Sequence, residues 1–393
     1  VLSVRDDFLA FTCDPTLVYL DSAATTLKPR CVVDEVSWCL TEGASAIYRG
    51  VHRRGVELTA RFDDARATIA RWFGVADDEV VITTGATGAI NLVRNGWPDL
   101  NSVVTTIVEH HSNLLPWTNV QSCRTLPCDP CGRVSAEDLD KELLSAPADL
   151  VAVSHVSNVL GVIQPVSELA EVAHRHGALL LLDAAQSASH LPVEPNLCGA
   201  DFIACSGHKM LGPSGVGALV ATSEALARLK PISWGGGMVE SVSPDDVRLQ
   251  PAPRRFEAGT PPVESVLGWA TALDYLESIG RENLTEHTRA LTLAAIKRFS
   301  GVRGVRVHGP ADVEEQLGIV SLSVDGWESH AAARVLSQRG NICVRSGFHC
   351  AEPLHQRLGL RPTLRLSFQA YNDHSDIEKA CAVIEQLAQT QIG

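Results

Sequence analysis

The sequence predicts an α/β protein: a large domain with a mostly parallel mixed sheet between helices, and a smaller α+β domain. Three observations carry this. Short apolar runs at 80–83, 103–108, 150–154, 179–183, 202–205 and 217–221 alternate with amphipathic stretches such as 57–73, 136–144 and 166–176. Strand, helix, strand in succession argues for parallel strands covered on both faces. The texture changes after about residue 264, where a helical pattern at 266–278 leads to strand-like runs at 319–324, 342–344 and 364–368 and helical ones at 329–339 and 375–386. Finally, 393 residues exceed what one small core organises. We therefore expect a large domain over 21–264 and a small domain from 1–20 and 265–393. The Gly- and Pro-bearing stretch 234–260 reads as a long excursion loop, a length usually reserved for function or an interface arm.

Composition narrows the class. The chain is 45% hydrophobic and 20% charged, ordinary for a globular protein, with a formal charge of −13. A net-acidic chain without a long basic run is a poor match to nucleic acid or an anionic membrane surface. The longest apolar run, around 178–182, is far short of the roughly 20 residues needed to span a bilayer. The first residues, VLSVRDDFLAF, lack the regions of a secretory signal. Eleven cysteines without a repeated spacing suggest reduced thiols and a cytoplasmic location. Cys128 and Cys131 form a CxxC pair with only Cys123 nearby, a spacing open to a redox pair or half of a zinc site, though a functional role is the lesser reading and no metal is expected.

In sheets of this kind ligands sit beyond the carboxyl ends of strands. Two ends stand out. One run finishes in Asp183, followed by Ala184, Ala185 and Gln186; another finishes in Ser206-Gly207-His208-Lys209. A carboxylate beside one strand and a lysine amine beside another is what pyridoxal chemistry requires, the amine for the aldehyde and the carboxylate for the pyridine nitrogen. Taken alone, the plainer reading stands first, with Asp183 capping a helix and Lys209 solvated in a loop. Other strand ends add context. Thr83-Thr84-Gly85-Ala86-Thr87 leads into a helical pattern, and N–H groups at a helix start suit a phosphate. Glu109-His110-His111-Ser112-Asn113 offers a histidine to stack on a planar ring, or a polar loop. Ser157-Asn158 follows the next strand and reads either as a ring-oxygen partner or as a turn.

Together the motifs VYLDSAAT, TTGATGAIN, EHHSNLLPW, HVSNVLG, DAAQS, SGHKMLGPSGVG, WGGGMV, FEAGTP, RSGFHCAEPLH and LRLSFQAYN resemble the class V aminotransferase-like, fold-type I pyridoxal 5′-phosphate (PLP) enzymes. More closely, they resemble the SufS-type cysteine desulfurases, also described as selenocysteine lyases. The likeness runs from Val18 to Asn372, with the motifs in the family's order. It implies a PLP-dependent L-cysteine desulfurase that yields L-alanine and a persulfide on Cys350. A cysteine or cystine C–S lyase giving pyruvate, ammonia and sulfide, or a selenocysteine lyase, is the alternative.

The resemblance also implies roles. Lys209 would be the Schiff-base lysine and proton carrier. Asp183 would meet the pyridinium nitrogen, Gln186 the phenolic oxygen, and His110 would stack on the ring. Thr87, Ser206 and His208 would hold the phosphate, and Thr260 would reach the phosphate of a neighbouring subunit in a homodimer. Asn158 and Arg365 would hold the substrate carboxylate, with Arg345 and His52 near the substrate. Arg345 and His349 would favour the Cys350 thiolate by positive charge, and a SufE-like protein or a thiol would accept the sulfur. Three positions depart from the family pattern: Phe348 replaces a histidine, Gly88 replaces a glutamate, and 51–56 lacks a second histidine. They leave the PLP-binding core untouched and bear on substrate and acceptor choice.

Overall fold

Seven strands build the larger sheet of the computed structural model, which describes residues 2–310 and 315–390. Their spatial order is Val80–Thr83, Gly217–Ala221, Phe202–Ser206, Leu179–Asp183, Leu150–Ser154, Ser102–Thr106 and Ser122–Leu126. All neighbours are parallel except around Gly217–Ala221, which runs antiparallel to both of its partners. The sheet is mostly parallel and mixed, as the sequence predicts.

The strand sequences explain the layering. Leu150–Ser154, Phe202–Ser206 and Gly217–Ala221 are buried at every residue. Alternate side chains enter different cores. Val151, Val153, Leu180, Leu182 and Ile203 join helices Arg53–Trp72, Ala136–Ser145 and Val166–Arg175 on one face. Leu150, Ala152, Leu181, Phe202 and Ala204 join helix Ala86–Gly96 on the other. Two-sided burial is why these strands read as continuous apolar runs rather than alternating ones. The edge strand Ser122–Leu126 differs. Its alternation of half-buried and exposed residues, with Arg124 in the middle, hides it from an apolar-run search. One glycine is dictated by packing: a Cβ at Gly217 would lie 2.3 Å from the carbonyl oxygen of Cys205 and 2.5 Å from the Cα of Gly85. That close approach lets the start of Gly217–Ala221 pass against the turn that opens Ala86–Gly96.

A second sheet, wholly antiparallel, runs Val305–His308, Ile319–Val324, Thr363–Ser367, Arg345–Gly347. Helices Arg281–Ser300, Ser329–Gly340 and His374–Gln389 supply its core with Leu291, Phe299, Leu336, Ile377 and Ile384. Val18 and Leu20 belong to that core too, because Val18–Tyr19 pairs in parallel with Ile342–Cys343. Helix Val263–Ile279 packs elsewhere: Val266, Leu267, Trp269 and Leu273 lie in the larger core, with Phe8 and Phe11. Helix Arg281–Ser300 serves both cores, with Leu284 in the larger and Leu291 in the smaller, and Leu354 and Tyr371 return to the larger one. The stretch expected as an open loop at 234–260 contains a hairpin, Val239–Val242 with Val247–Leu249. Among the described residues, no helix is long and apolar enough to cross a membrane, and no group of three or more His, Cys, Asp or Glu side chains gathers as a metal site.

Candidate active site

Four parallel strands deliver their carboxyl ends to one cavity of about 480 Å³, a size suited to a small organic ligand. Just beyond Ser102–Thr106 comes His110; beyond Leu150–Ser154, Asn158; at the end of Leu179–Asp183, Asp183 and then Gln186; after Phe202–Ser206, the short turn Gly207–Lys209. Thr87, Ser206 and His208 line the same cavity, and the smaller sheet contributes Arg345, Cys350 and Arg365. Residues up to 344 positions apart in the chain thus converge, as in the contact of Asp21 with Arg365.

Lys209 is half-buried. Burial lowers its amine to about 8, against the pull of Asp183, with the nearby Arg365 adding to the depression. Asp183 is buried, and desolvation raises its carboxyl while the Ala185 N–H, donating to Oδ1 at 2.9 Å, and Lys209 oppose the rise. His110 accepts the Ser112 N–H on Nδ1 at 3.0 Å, and burial followed by the charge of Lys209 pushes it down to about 4. It is therefore a neutral ring whose proton sits on Nε2. His208 is also pushed to about 4 by burial. At the turn before Ala86–Gly96, Gly85 has φ of 138°, and the Ala86 N–H donates to Ser206 Oγ at 2.8 Å. The Thr87 and Ser112 hydroxyls meet at 2.7 Å. The next N–H groups of the helix have no carbonyl one turn back, which makes this end of the cavity a seat for an anion.

The other end is cationic. Arg365 is 3% exposed. It donates from Nη1 to the Asn158 carbonyl at 2.9 Å and from Nη2 to Asp21 at 3.3 Å, while its Nε has no partner among the described residues. Burial brings its guanidinium down to about 10. Asp21 also faces Arg345 at 3.9 Å. Three cations, Lys209, Arg345 and Arg365, thus face two carboxylates, Asp21 and Asp183, and the imbalance favours an anionic ligand.

Cys350 is exposed at the cavity wall. Its loop is tied to the larger sheet by two bonds: Asn158 Nδ2 donates to the His349 carbonyl at 2.7 Å, and the His111 N–H donates to the Cys350 carbonyl at 2.9 Å. The expected positive charge from His349 does not arise. That ring is buried, and burial followed by Arg365, His355 and Arg345 drives its basicity far down, so it is neutral near neutral pH. Arg345 is the flanking cation that remains.

Two expected residues lie outside the cavity of this chain. His52 is exposed and caps helix Arg53–Trp72, its Nδ1 accepting the Gly55 N–H at 3.2 Å. Thr260 is exposed beside Gly259. The sequence reading assigned no role to Asp21, Ser112 or Ser154, which line the cavity. Asp21 was detectable, since a carboxylate two residues beyond Val18–Tyr19 is another strand-end acid.

Buried neutral histidines behind the site add to the acid sensitivity of the fold. His155 and His190 are 8% and 7% exposed, each with an unpartnered Nδ1 among the described residues, and burial pushes both to about 4. A base depressed on folding takes up its proton more readily when unfolded. Its stabilisation is therefore complete above about pH 6.5 and lost as pH falls toward 4, about 3 kcal/mol for each ring. The melting temperature is expected to drop through that window, and the variant carrying His155→Gln and His190→Gln to show a flatter acid limb. An equally steep limb in the variant would contradict this assignment.

Comparison with known proteins agrees with the geometry. The "Aminotransferase class-V" family model matches residues 18–380. A cysteine desulfurase of Haloferax volcanii is 37% identical, covering 94% of this chain and 89% of its own. The apo structure of a cysteine desulfurase from Thermococcus onnurineus superposes with a TM-score of 0.94 at 35% identity, covering 98% of both chains. The Escherichia coli cysteine desulfurase CsdA gives a TM-score of 0.90 at 32% identity, again covering 98% of both. A family match across the catalytic strands and both sheets, with folds this close, establishes that the chain belongs to the class-V aminotransferase family and has its fold-type I architecture.

Proposed function

We propose that this protein is a PLP-dependent L-cysteine desulfurase, converting L-cysteine to L-alanine while its sulfur moves to Cys350. The observation that carries the reading is the exposed Cys350 thiol on the wall of the cavity that holds Lys209 and Asp183. The residues fit the cofactor. A half-buried amine, a buried carboxylate, a neutral histidine and an anion-binding helix start surround one cavity. PLP bound there supplies an electron sink for bonds at the substrate Cα.

The chain's own groups do the rest. Lys209 would tether the cofactor, and its Nζ would carry the Cα proton. Asp183 would pair with the ring nitrogen, Gln186 would serve the phenolic oxygen, and the neutral His110 ring would pack on the cofactor. Thr87, Ser206 and His208, which line the cavity at the start of Ala86–Gly96, would hold the phosphate. Arg365, with Nε unpartnered, takes the substrate carboxylate beside Asn158; a guanidinium gives a two-point grip that an ammonium does not. Arg345 extends this positive edge to the mouth. So held, the substrate sulfur is presented to Cys350 Sγ, and positioning of this kind is a large source of rate. The S–S bond forms as the C–S bond breaks, and the carbon fragment leaves as alanine once protonated. The persulfide then passes to a thiol or a SufE-like acceptor. A homodimer, with Thr260 reaching a neighbour's phosphate, and a cytoplasmic location complete the proposal.

The test is product analysis on purified protein with L-cysteine. Alanine in step with one added sulfur on the Cys350 peptide is expected. Pyruvate and sulfide, with Cys350 unmodified, would instead identify a C–S lyase.

A further inference from the structure

Three buried side chains with no part in the proposed reaction meet behind the cysteine loop. His349 immediately precedes Cys350. His355 lies on the short helix Glu352–Arg357, fully buried, and Thr363, also fully buried, opens the strand that carries Arg365. His355 Nδ1 is 3.1 Å from the Ala351 carbonyl, His355 Nε2 is 3.4 Å from Thr363 Oγ1, and Thr363 Oγ1 is 2.9 Å from His349 Nε2.

The direction of each bond follows from what the atoms allow. A carbonyl only accepts, so His355 Nδ1 carries the proton. Burial keeps His355 on the neutral side, which leaves its Nε2 bare and accepting. The Thr363 hydroxyl has one proton, and donating it to His355 Nε2, at 3.4 Å, is the arrangement that leaves neither nitrogen facing the hydroxyl unpaired. The hydroxyl oxygen must then accept from His349 Nε2. His349 is thereby fixed as the Nε2–H tautomer, and its Nδ1 is a buried lone pair without a partner among the described residues.

The loop needs such an anchor. His349 and Cys350 have φ of 56° and 55°, two successive non-glycine residues in the left-handed region, where each is strained. The Asn158 side-chain amide and the His111 backbone N–H hold the two carbonyls. The contact with Thr363 holds the His349 ring. Phe348 closes the arrangement from outside, its ring edge-on to His355 with centroids 5.3 Å apart. The histidine that the family pattern places at 348 is thus replaced by an apolar cover over a histidine at 355.

We propose that Thr363 and His355 are positioning residues for Cys350: their one-way relay locks the His349 ring and so holds the left-handed turn that presents the thiol to the cavity. The inference deepens the desulfurase reading and rests on it for its kinetic consequence, though not for its structural one. Thr363→Val keeps the shape and removes the hydroxyl; Thr363→Ser keeps the hydroxyl. In the holoenzyme, Thr363→Val is expected to lower kcat and the rate of persulfide formation on Cys350 about ten-fold, the scale of one buried polar group left unpaired. KM for cysteine should stay within about two-fold. Alkylation of Cys350 by iodoacetamide should change about three-fold or more, and Thr363→Ser should restore both rates. Nitrogen-15 spectra of labelled wild-type protein should show His349 protonated on Nε2 alone between about pH 5 and 8.

A His349 ring protonated on Nδ1 overturns the proposal, even if Thr363→Val fails to fold. So does a folded Thr363→Val enzyme with wild-type kcat and alkylation. A wild-type enzyme releasing pyruvate with no sulfur on Cys350 would sink the desulfurase reading instead, while the tautomer and alkylation would still decide the relay.

Discussion

Lys209→Ala is expected to yield a folded protein that stays colourless when PLP is added and loses at least about three orders of magnitude in alanine formation. Two functions vanish with one side chain. The amine is the group in the cavity able to form a covalent bond to an aldehyde, and it is prepared for that. Burial brings it to about 8, so a useful fraction is neutral and nucleophilic at physiological pH. Being neutral also makes it a competent base for the Cα proton. Lys209→Arg should fail equally, because a guanidinium keeps its proton and does not condense with the aldehyde. That equivalence separates chemistry from charge, since the arginine variant preserves the cation facing Asp183. Visible absorbance after cofactor addition, and alanine measured against wild type, check the prediction. A yellow Lys209→Ala protein turning over within ten-fold of wild type would remove the foundation of the proposed function.

Much of the larger sheet was legible because its strands are buried on both faces. The runs at 80–83, 150–154, 179–183 and 217–221 coincide with strands Val80–Thr83, Leu150–Ser154, Leu179–Asp183 and Gly217–Ala221. Elements whose burial is one-sided escaped. Ser122–Leu126 carries Arg124 within an edge strand. Arg281–Ser300 buries Thr288 and Thr292 among its apolar residues, which blurs the helical stripe. The site follows the same logic. A strand end is a local feature, so Asp183, Lys209, His110 and Asn158 could be picked out one by one. What stayed hidden are relations between distant segments: Asn158 gripping the His349 carbonyl from 191 residues away, and Asp21 sharing Arg365. Charge states were hidden for the same reason. Nothing local to His349 says that burial and the distant Arg365 keep it neutral. Nor does anything around His52 reveal that its ring nitrogen is occupied in capping a helix.

Cys350→Ala is expected to leave PLP binding and the KM for cysteine near wild type while sulfur transfer falls by about three orders of magnitude or more. The separation follows from where the contacts lie. In the proposed reaction the substrate carboxylate is held by Arg365 and Asn158, on the strand Thr363–Ser367 and the loop after Leu150–Ser154, and the thiol is not part of that grip. The bond that must form is between two sulfurs, and among the described residues Cys350 is the one thiol lining the cavity. Cys205 is completely buried in Phe202–Ser206, and burial raises its thiol, so it does not stand in. Cys343 is half-buried in Ile342–Cys343, outside the cavity lining, and its thiol is likewise raised by burial. Cys350→Ser should behave like the alanine variant, since a hydroxyl of the right size and place cannot hold a persulfide. Alanine and persulfide are measured on the same samples. If Cys350→Ala releases sulfide and pyruvate at the wild-type rate, then elimination at Cβ is the reaction, and the cysteine loop serves only to close the cavity.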